Sequence, residues 1–246
     1  MLSDLEYLAI EIDTLWTRDP RGRLLREGGL FGDPVPHLVI AAAAEGQLAA
    51  ASDEVPDSLA LELTQLATGA PAPAPGESPS GLGSWATSLA AAMGPVEVTS
   101  GRSSVATSIP VANSAAMLVL SDGSRPYRGA LQAPEEAKWQ PEEWRALLAG
   151  ELGPWAMAVA GGDVISICFS PRLTPAAAEA GVRTDPAHRG QGHAAATTAA
   201  WASLVMASGR HAFYSTSATN LSSQRVAARL GLRPIGWIWQ IAPPRA

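Results

Sequence analysis

Apolar and polar positions along the chain change period several times, and each change predicts an element. From Leu2 to Trp16, Leu5, Leu8, Ala9, Ile12 and Leu15 recur at helical spacing, with Ser3 placed to cap the first turn. Pro36–Ala42 and Gln47–Ser52 read as strands, with Glu45-Gly46 as the hairpin between them. Pro56–Ala67 predicts a short amphipathic helix with Leu59, Leu63 and Leu66 facing inward. Ala70–Ser84 is rich in proline, glycine, alanine and serine, and reads as an exposed loop or linker. Trp85–Met93 reads as helix and Val96–Ile109 as β-like with Gly101 in a turn, whereas Asn113–Leu120 fits helix or strand.

The second half alternates more regularly. Pro141–Leu148 predicts a helix with proline in the first turn and Glu142 and Glu143 near its positive end. Trp155–Val159 and Val164–Phe169 read as strands joined by Gly161-Gly162-Asp163. Glu179–Thr184 is the next strand, ended by Asp185-Pro186, because proline lacks an N–H and restricts the residue before it. Ala194–Ser208 holds no glycine or proline and is alanine-rich, with Trp201, Leu204, Val205 and Ser208 as a buried stripe and Gly209 as the stop. His211–Ser215 reads as strand, the segment near Asn220–Leu230 as helix, and Ile235–Ile241 as a last strand carrying Trp237 and Trp239. That order predicts a mixed α/β sheet over 113–246, preceded by a smaller α+β domain over 1–112 that includes the 70–84 loop.

Composition narrows the class. The chain has 246 residues, 47% hydrophobic and 16% charged, which is globular rather than disordered. A net charge of -6 argues against a nucleic-acid or anionic-membrane surface. The single cysteine, Cys168, excludes an internal disulfide and fits a reducing compartment, so a cytoplasmic location is expected. The acidic N-terminal segment (Asp4, Glu6, Glu11, Asp13) does not read as a signal peptide, and no apolar run is long enough to span a membrane.

The chemistry concentrates in Arg189-Gly190-Gln191-Gly192-His193-Ala194, a strand-to-helix turn with two glycines. The first N–H groups of a helix have no internal partner and the dipole favours an anion, so this turn suits phosphate. A dinucleotide fingerprint needs a third glycine and an acid after the next strand, and neither is present. A P-loop needs Gly-Lys-Ser/Thr, but the only lysine, Lys138, has no glycine beside it.

The remaining pattern, Arg-x-x-Gly-x-Ala, resembles the acyl-CoA pyrophosphate loop of the GNAT superfamily of N-acetyltransferases. Three further features fall in the family's order: the lead-in Val182-Arg183-Thr184-Asp185-Pro186, the strand His211–Ser215, and Asn220-Leu221-Ser222-Ser223 before a helix ending in Leu230-Gly231-Leu232. The resemblance covers roughly Pro154–Gln240 and is absent before about Asn113. It implies a sheet that splays apart after the strand containing Val182, with acetyl-CoA in the opening as cosubstrate. By the resemblance, the backbones of Val182 and Thr184 would hold the pantetheine. The N–H groups of Gly190, Gln191, Gly192, His193, Ala194 and Ala195 would hold the pyrophosphate, and Arg189 would add charge. Asn220 and Ser223 correspond to positions beside the pantetheine arm. An amine of a small-molecule or amino-acid-like acceptor would then attack the thioester directly, without a metal.

The family often places a tyrosine seven residues after the motif asparagine as general acid; here that position is Ala227. Tyr214 on the preceding strand is the alternative acid, against core packing, and Glu179 is the candidate base, against a surface or salt-bridge glutamate. A water relay without a dedicated side chain stays open. His188 and His193 read as solvated or phosphate-adjacent, since no Cys/His/Asp cluster surrounds them. Cys168 reads as a core thiol, and Trp237 and Trp239 as one face of a strand. Two functions are carried forward: an acetyl-CoA-dependent N-acetyltransferase, and a non-catalytic acyl-CoA-binding sensor or partner module. Residues 1–112 carry no motif; they could form a structural lobe, build a homodimer, wall an acceptor pocket or be a divergent second copy of the fold.

Overall fold

The computed structural model describes residues 2–25, 35–125, 130–133 and 139–244, so Lys138 lies outside the described residues. The chain is mixed α/β and divides into two compact units. The first comprises Met1–Ser104, Ser215–Asn220 and Pro234–Ala246; the second comprises Val105–Tyr214 and Leu221–Arg233.

In the first unit, α1 (Asp4–Leu15) starts in a capping box, with Ser3 accepting from the Glu6 N–H and Glu6 accepting from the Ser3 N–H. The strands β1 (Leu38–Ala43) and β2 (Gly46–Ala51) pair antiparallel across the Ala44-Glu45 turn. Helix α2 (Asp57–Gly69) buries Ala60, Leu63 and Ala67. Leu66 is half exposed rather than inward, because the buried stripe runs through the alanines one position to its side. Helix α3 (Leu82–Met93) begins three residues before the predicted Trp85, and β3 (Glu97–Val105) follows it. Gly101 lies inside β3 rather than in a turn: a Cβ there would meet the Thr216 carbonyl oxygen at 2.8 Å, so the glycine permits close backbone approach. The last strand, β9 (Arg233–Ala242), pairs antiparallel with β1, and the unit's strand order is β2-β1-β9-β3. Trp239 and Ile241 of β9 share a core with Leu38, Ile40, Leu63, Trp85 and Leu89.

The second unit opens with β4 (Met117–Leu120), which resolves the helix-or-strand segment as strand, followed by α4 (Pro141–Leu148). The hairpin β5 (Ala156–Ala160) and β6 (Asp163–Leu173) turns on Gly161 and Gly162, both at positive φ, the conformation a two-residue turn between twisted strands requires. Strand β7 (Ala177–Thr184) is antiparallel to β6, and β8 (His211–Ser217) is parallel to β7, giving the order β8-β7-β6-β5-β4. Between β7 and β8 runs α5 (His193–Ala207); α6 (Leu221–Arg229) follows β8. On one face, Trp144, Leu147, Ile167 and Phe169 pack together; on the other, α5 lays Ala195, Ala199, Trp201, Ala202 and Val205 against Cys168, Ala178, Ala212 and Tyr214. Small alanines on both surfaces let α5 lie close to the strands, and the Trp201 indole N–H donates to Ser170 Oγ at 2.9 Å. Ser208, expected on the buried stripe, is exposed because α5 ends at Ala207 and the chain turns away at Gly209.

Candidate active site

The strand pair β7–β8 is the frame of the site. Their parallel pairing covers only Ala177–Glu179 against His211–Phe213. Beyond Glu179, β7 continues to Thr184 paired with β6 alone. The Asp185 N–H donates to the Ile165 carbonyl, so strand alternation turns the N–H and C=O of Val182 and Thr184 the other way, toward the side where β8 no longer pairs. The His211 N–H, which donates to the Ala176 carbonyl, fixes the same parity from the β8 side. Opposite this stretch, β6 carries a register shift between Phe169 and Arg172, with Pro171 in it, where a missing N–H costs no ladder bond.

At the end of β7 the chain enters the loop. Asp185 caps a short 3₁₀ turn, Pro186–His188, by accepting from the Ala187 N–H at 2.7 Å. Gly190 (φ 76°) and Gly192 (φ 89°) both sit in the left-handed region, which selects glycine at each. The Gly192 carbonyl accepts from Ala196, the first bond of α5. The N–H groups of His193, Ala194 and Ala195 precede that bond and, with those of Gly190, Gln191 and Gly192, have no acceptor among the described residues. A hydroxyl chain holds this helix start against the strands. Thr184 Oγ1 and Ser166 Oγ lie 2.8 Å apart, Ser166 Oγ and Thr197 Oγ1 3.4 Å, and Thr197 donates to the His193 carbonyl.

His193 is only 4% exposed, which corrects the solvated half of its solvated-or-phosphate-adjacent reading. Its partners fix its tautomer. Gln191 Nε2 donates to the Ala187 carbonyl, which orients the amide so that Oε1 faces His193 Nε2 at 3.3 Å. Nε2 therefore carries the proton, and Nδ1 accepts from the Ser114 hydroxyl at 2.7 Å. Ser114 Oγ in turn accepts from the Ala116 N–H. Burial, with His188 nearby, holds the imidazole pKa below its ordinary value. Sequence spacing gave no signal for this brace, because Ser114 and His193 are 79 residues apart.

Two arginines approach the loop. Arg189 is exposed and donates from Nε to the Thr184 carbonyl at 3.3 Å. Arg229, at the end of α6, was not anticipated: a Cβ on Gly192 would lie 3.2 Å from its Nη1 and 3.5 Å from its Nη2. Ser223 lies beneath the strand rather than free, its Oγ 2.7 Å from Tyr214 Oη. Asn220 falls in the first unit, where its N–H donates to the Ser217 carbonyl.

The family follows from the stretch that carries these features. Residues 151–236, which include every candidate site residue and Arg229, match the family model described as GNAT acetyltransferase. This stretch is a GNAT acetyltransferase domain. No curated protein matches the chain. Among solved structures, a GCN5-related N-acetyltransferase from Kribbella flavida is 16% identical, with 100% of this chain and 98% of that one covered and a TM-score of 0.49. A GCN5-related N-acetyltransferase-like protein from Streptococcus suis is 14% identical, with 85% and 84% covered and a TM-score of 0.46.

Within the GNAT domain the two catalytic candidates lie at the fork. Glu179 is the last β7 residue paired with β8 and is buried, which corrects the surface half of the surface-or-salt-bridge alternative. Tyr214 is the first β8 residue past the pairing. Because Glu179 is opposite Phe213, alternation sends Glu179 and Tyr214 to opposite faces of the sheet. Tyr214 faces α5 and α6, and burial pushes its phenol up to about 12. Cys168 is fully buried on that face and its thiol is pushed well up by burial, so it stays a neutral core side chain. Ala227 is buried in the same core. Among the described residues, no group of His, Cys, Asp and Glu could hold a metal ion, and no helix is long and apolar enough to cross a membrane.

The neutral His193 yields a pH prediction. A histidine pKa depressed by folding contributes stability above its unfolded value, near 6.5, and loses it as pH falls through the folded value. Denaturant unfolding at pH 7 and pH 5 should therefore show a drop that is smaller in His193→Asn. Some drop remains in the variant, because buried His37 is shifted the same way. An identical drop in both proteins would rule His193 out as a source.

Proposed function

We propose that this protein transfers the acetyl group of acetyl-CoA to the amine of a small-molecule or amino-acid-like acceptor by direct attack. The observation that carries the reading is one juxtaposition: a strand edge left by the parting of β7 and β8 runs straight into six backbone N–H groups that have no acceptor among the described residues, at the mouth of α5. An extended amide-bearing arm fits the first and a diphosphate fits the second. Two left-handed glycines let backbone approach phosphate where side chains would intrude.

When bound, acetyl-CoA supplies an activated thioester; the chain supplies position and proton transfer. The N–H and C=O of Val182 and Thr184 orient the pantetheine. Residues 190–195 hold the diphosphate with Arg189 beside them. Glu179, on one face at the fork, takes the proton the amine loses as its nitrogen bonds the acetyl carbon. Tyr214, on the other face, gives a proton to the sulfur as the carbon–sulfur bond breaks. A phenol at about 12 is fully protonated at neutral pH and able to donate. No metal is invoked, and the net charge of -6 and lone cysteine support a cytoplasmic enzyme with neither nucleic acid nor membrane as partner. One observation favours the sensor reading: Ala227 stands in the core where family members often carry the acidic tyrosine.

Calorimetry should detect acetyl-CoA binding by the wild-type protein and its loss in Gly192→Glu, which places a carboxylate and a strained left-handed residue at the loop. Thiol release over pooled amines should then find an acceptor. Binding without release for any amine would move the protein to the sensor class, and absence of binding would overturn the acyl-CoA reading. With an acceptor in hand, Tyr214→Phe should lower kcat about a hundredfold at unchanged acetyl-CoA affinity. Unchanged kcat would remove Tyr214 as the acid.

A further inference from the structure

We infer that Ser223 is a positioning residue for Tyr214: its hydroxyl donates to the phenol oxygen and so turns the phenol O–H toward the departing sulfur. This rests on Tyr214 being the acid, as read above, and goes beyond it. The family pattern puts Ser223 beside the pantetheine arm and ties it to no proton transfer.

The geometry begins with how Tyr214 is held. Its side chain is 3% exposed and packs in an apolar core with Cys168, Ala178, Ala227 and Leu230. At the edge of that core the phenol oxygen lies 2.7 Å from Ser223 Oγ. Ser223 stands in the first turn of α6 and is half-buried. Ala227 lies one turn further along the same helix face and is buried in the same core. The helix that often carries the acid in the family therefore offers a hydroxyl at one turn and a methyl group at the next. The phenol comes from β8 instead.

Proton counting then fixes the direction of the bond. A phenol has one O–H, which can be given to Ser223 or to the sulfur but not to both. An acid at this point needs Ser223 as the donor and the Tyr214 oxygen as the acceptor. Tyr214 gives its proton to the sulfur as the carbon–sulfur bond breaks, and the phenol oxygen keeps the negative charge. The Ser223 O–H, already aimed at that oxygen, stabilises the charge as it forms. Burial opposes it and pushes the phenol up to about 12; Cys168 and Glu179 act in the same direction, and the Ser223 bond pulls the other way. Water returns the proton to Tyr214 and removes the one held by Glu179 between turnovers, so nothing is consumed beyond the two substrates.

The test uses the full chain, acetyl-CoA and the amine identified by thiol release. Ser223→Ala should lower kcat about tenfold, the loss of one hydrogen bond to a charge-bearing oxygen, with acetyl-CoA affinity unchanged by calorimetry. Ser223→Thr keeps a hydroxyl and should recover most of that loss. In the Tyr214→Phe background, Ser223→Ala should lower kcat no further, because the hydroxyl acts only through the phenol. A loss of the same size in that background is a packing effect and would overturn the inference. Weaker acetyl-CoA binding at unchanged kcat would overturn it by returning Ser223 to the pantetheine arm. Unchanged kcat in Ser223→Ala, with Tyr214→Phe impaired, would remove Ser223 while keeping Tyr214 as the acid. Unchanged kcat in Tyr214→Phe would remove both residues together.

Discussion

A backbone group out of reach of a partner must be met by water or by a ligand, and this constraint organises the second unit. Strands β7 and β8 are paired for three residues and then separate. From that point β7 pairs with a strand on one edge only, and the other edge, where Arg189 Nε reaches the Thr184 carbonyl, leads into a helix whose first N–H groups have no acceptor among the described residues. Nothing in the local sequence could close both, because the loop spends its side chains elsewhere. Asp185 caps the 3₁₀ turn, Arg189 folds back on the Thr184 carbonyl, Gln191 and His193 brace each other, and Gly190 and Gly192 have no side chain.

Rigidity is concentrated where the open groups lie. The Thr184–Ser166–Thr197 hydroxyls tie the first turn of α5 to the ends of β6 and β7. The Ser114–His193–Gln191–Ala187 chain ties the loop to the segment before β4. The second network needs one imidazole tautomer and one amide orientation, so both side chains are held in a single arrangement. Arg189 folds back on the Thr184 carbonyl, while Arg229, at the end of α6, lies beside Gly192.

Local patterns were readable in the sequence and long-range ones were not. The Gly161-Gly162 hairpin, the proline-started α4 and the strand–loop–helix around Gly192 each follow from residues within a few positions of one another. Gly101 reads as a turn by the same local logic, yet it lies inside β3 because the Thr216 backbone, more than a hundred residues on, leaves no room for a Cβ. Leu66 misled because helical spacing allows several stripes, and the core chose Ala60, Leu63 and Ala67. In the site, the glycines of the loop were legible, whereas the burial of His193 depends on Ser114 and the proximity of Arg229 to Gly192 depends on how α6 packs on α5. Glu179 and Tyr214 could be named from strand positions, but their opposite faces needed the Glu179–Phe213 register.

The most direct measurement of the central claim is a titration of ¹⁵N-labelled protein with acetyl-CoA, following backbone amide shifts. The account predicts that the largest changes cluster on Gly190–Ala195 at the α5 mouth and on Val182 and Thr184 along the open edge of β7. Largest changes elsewhere, with those amides unmoved, would contradict it.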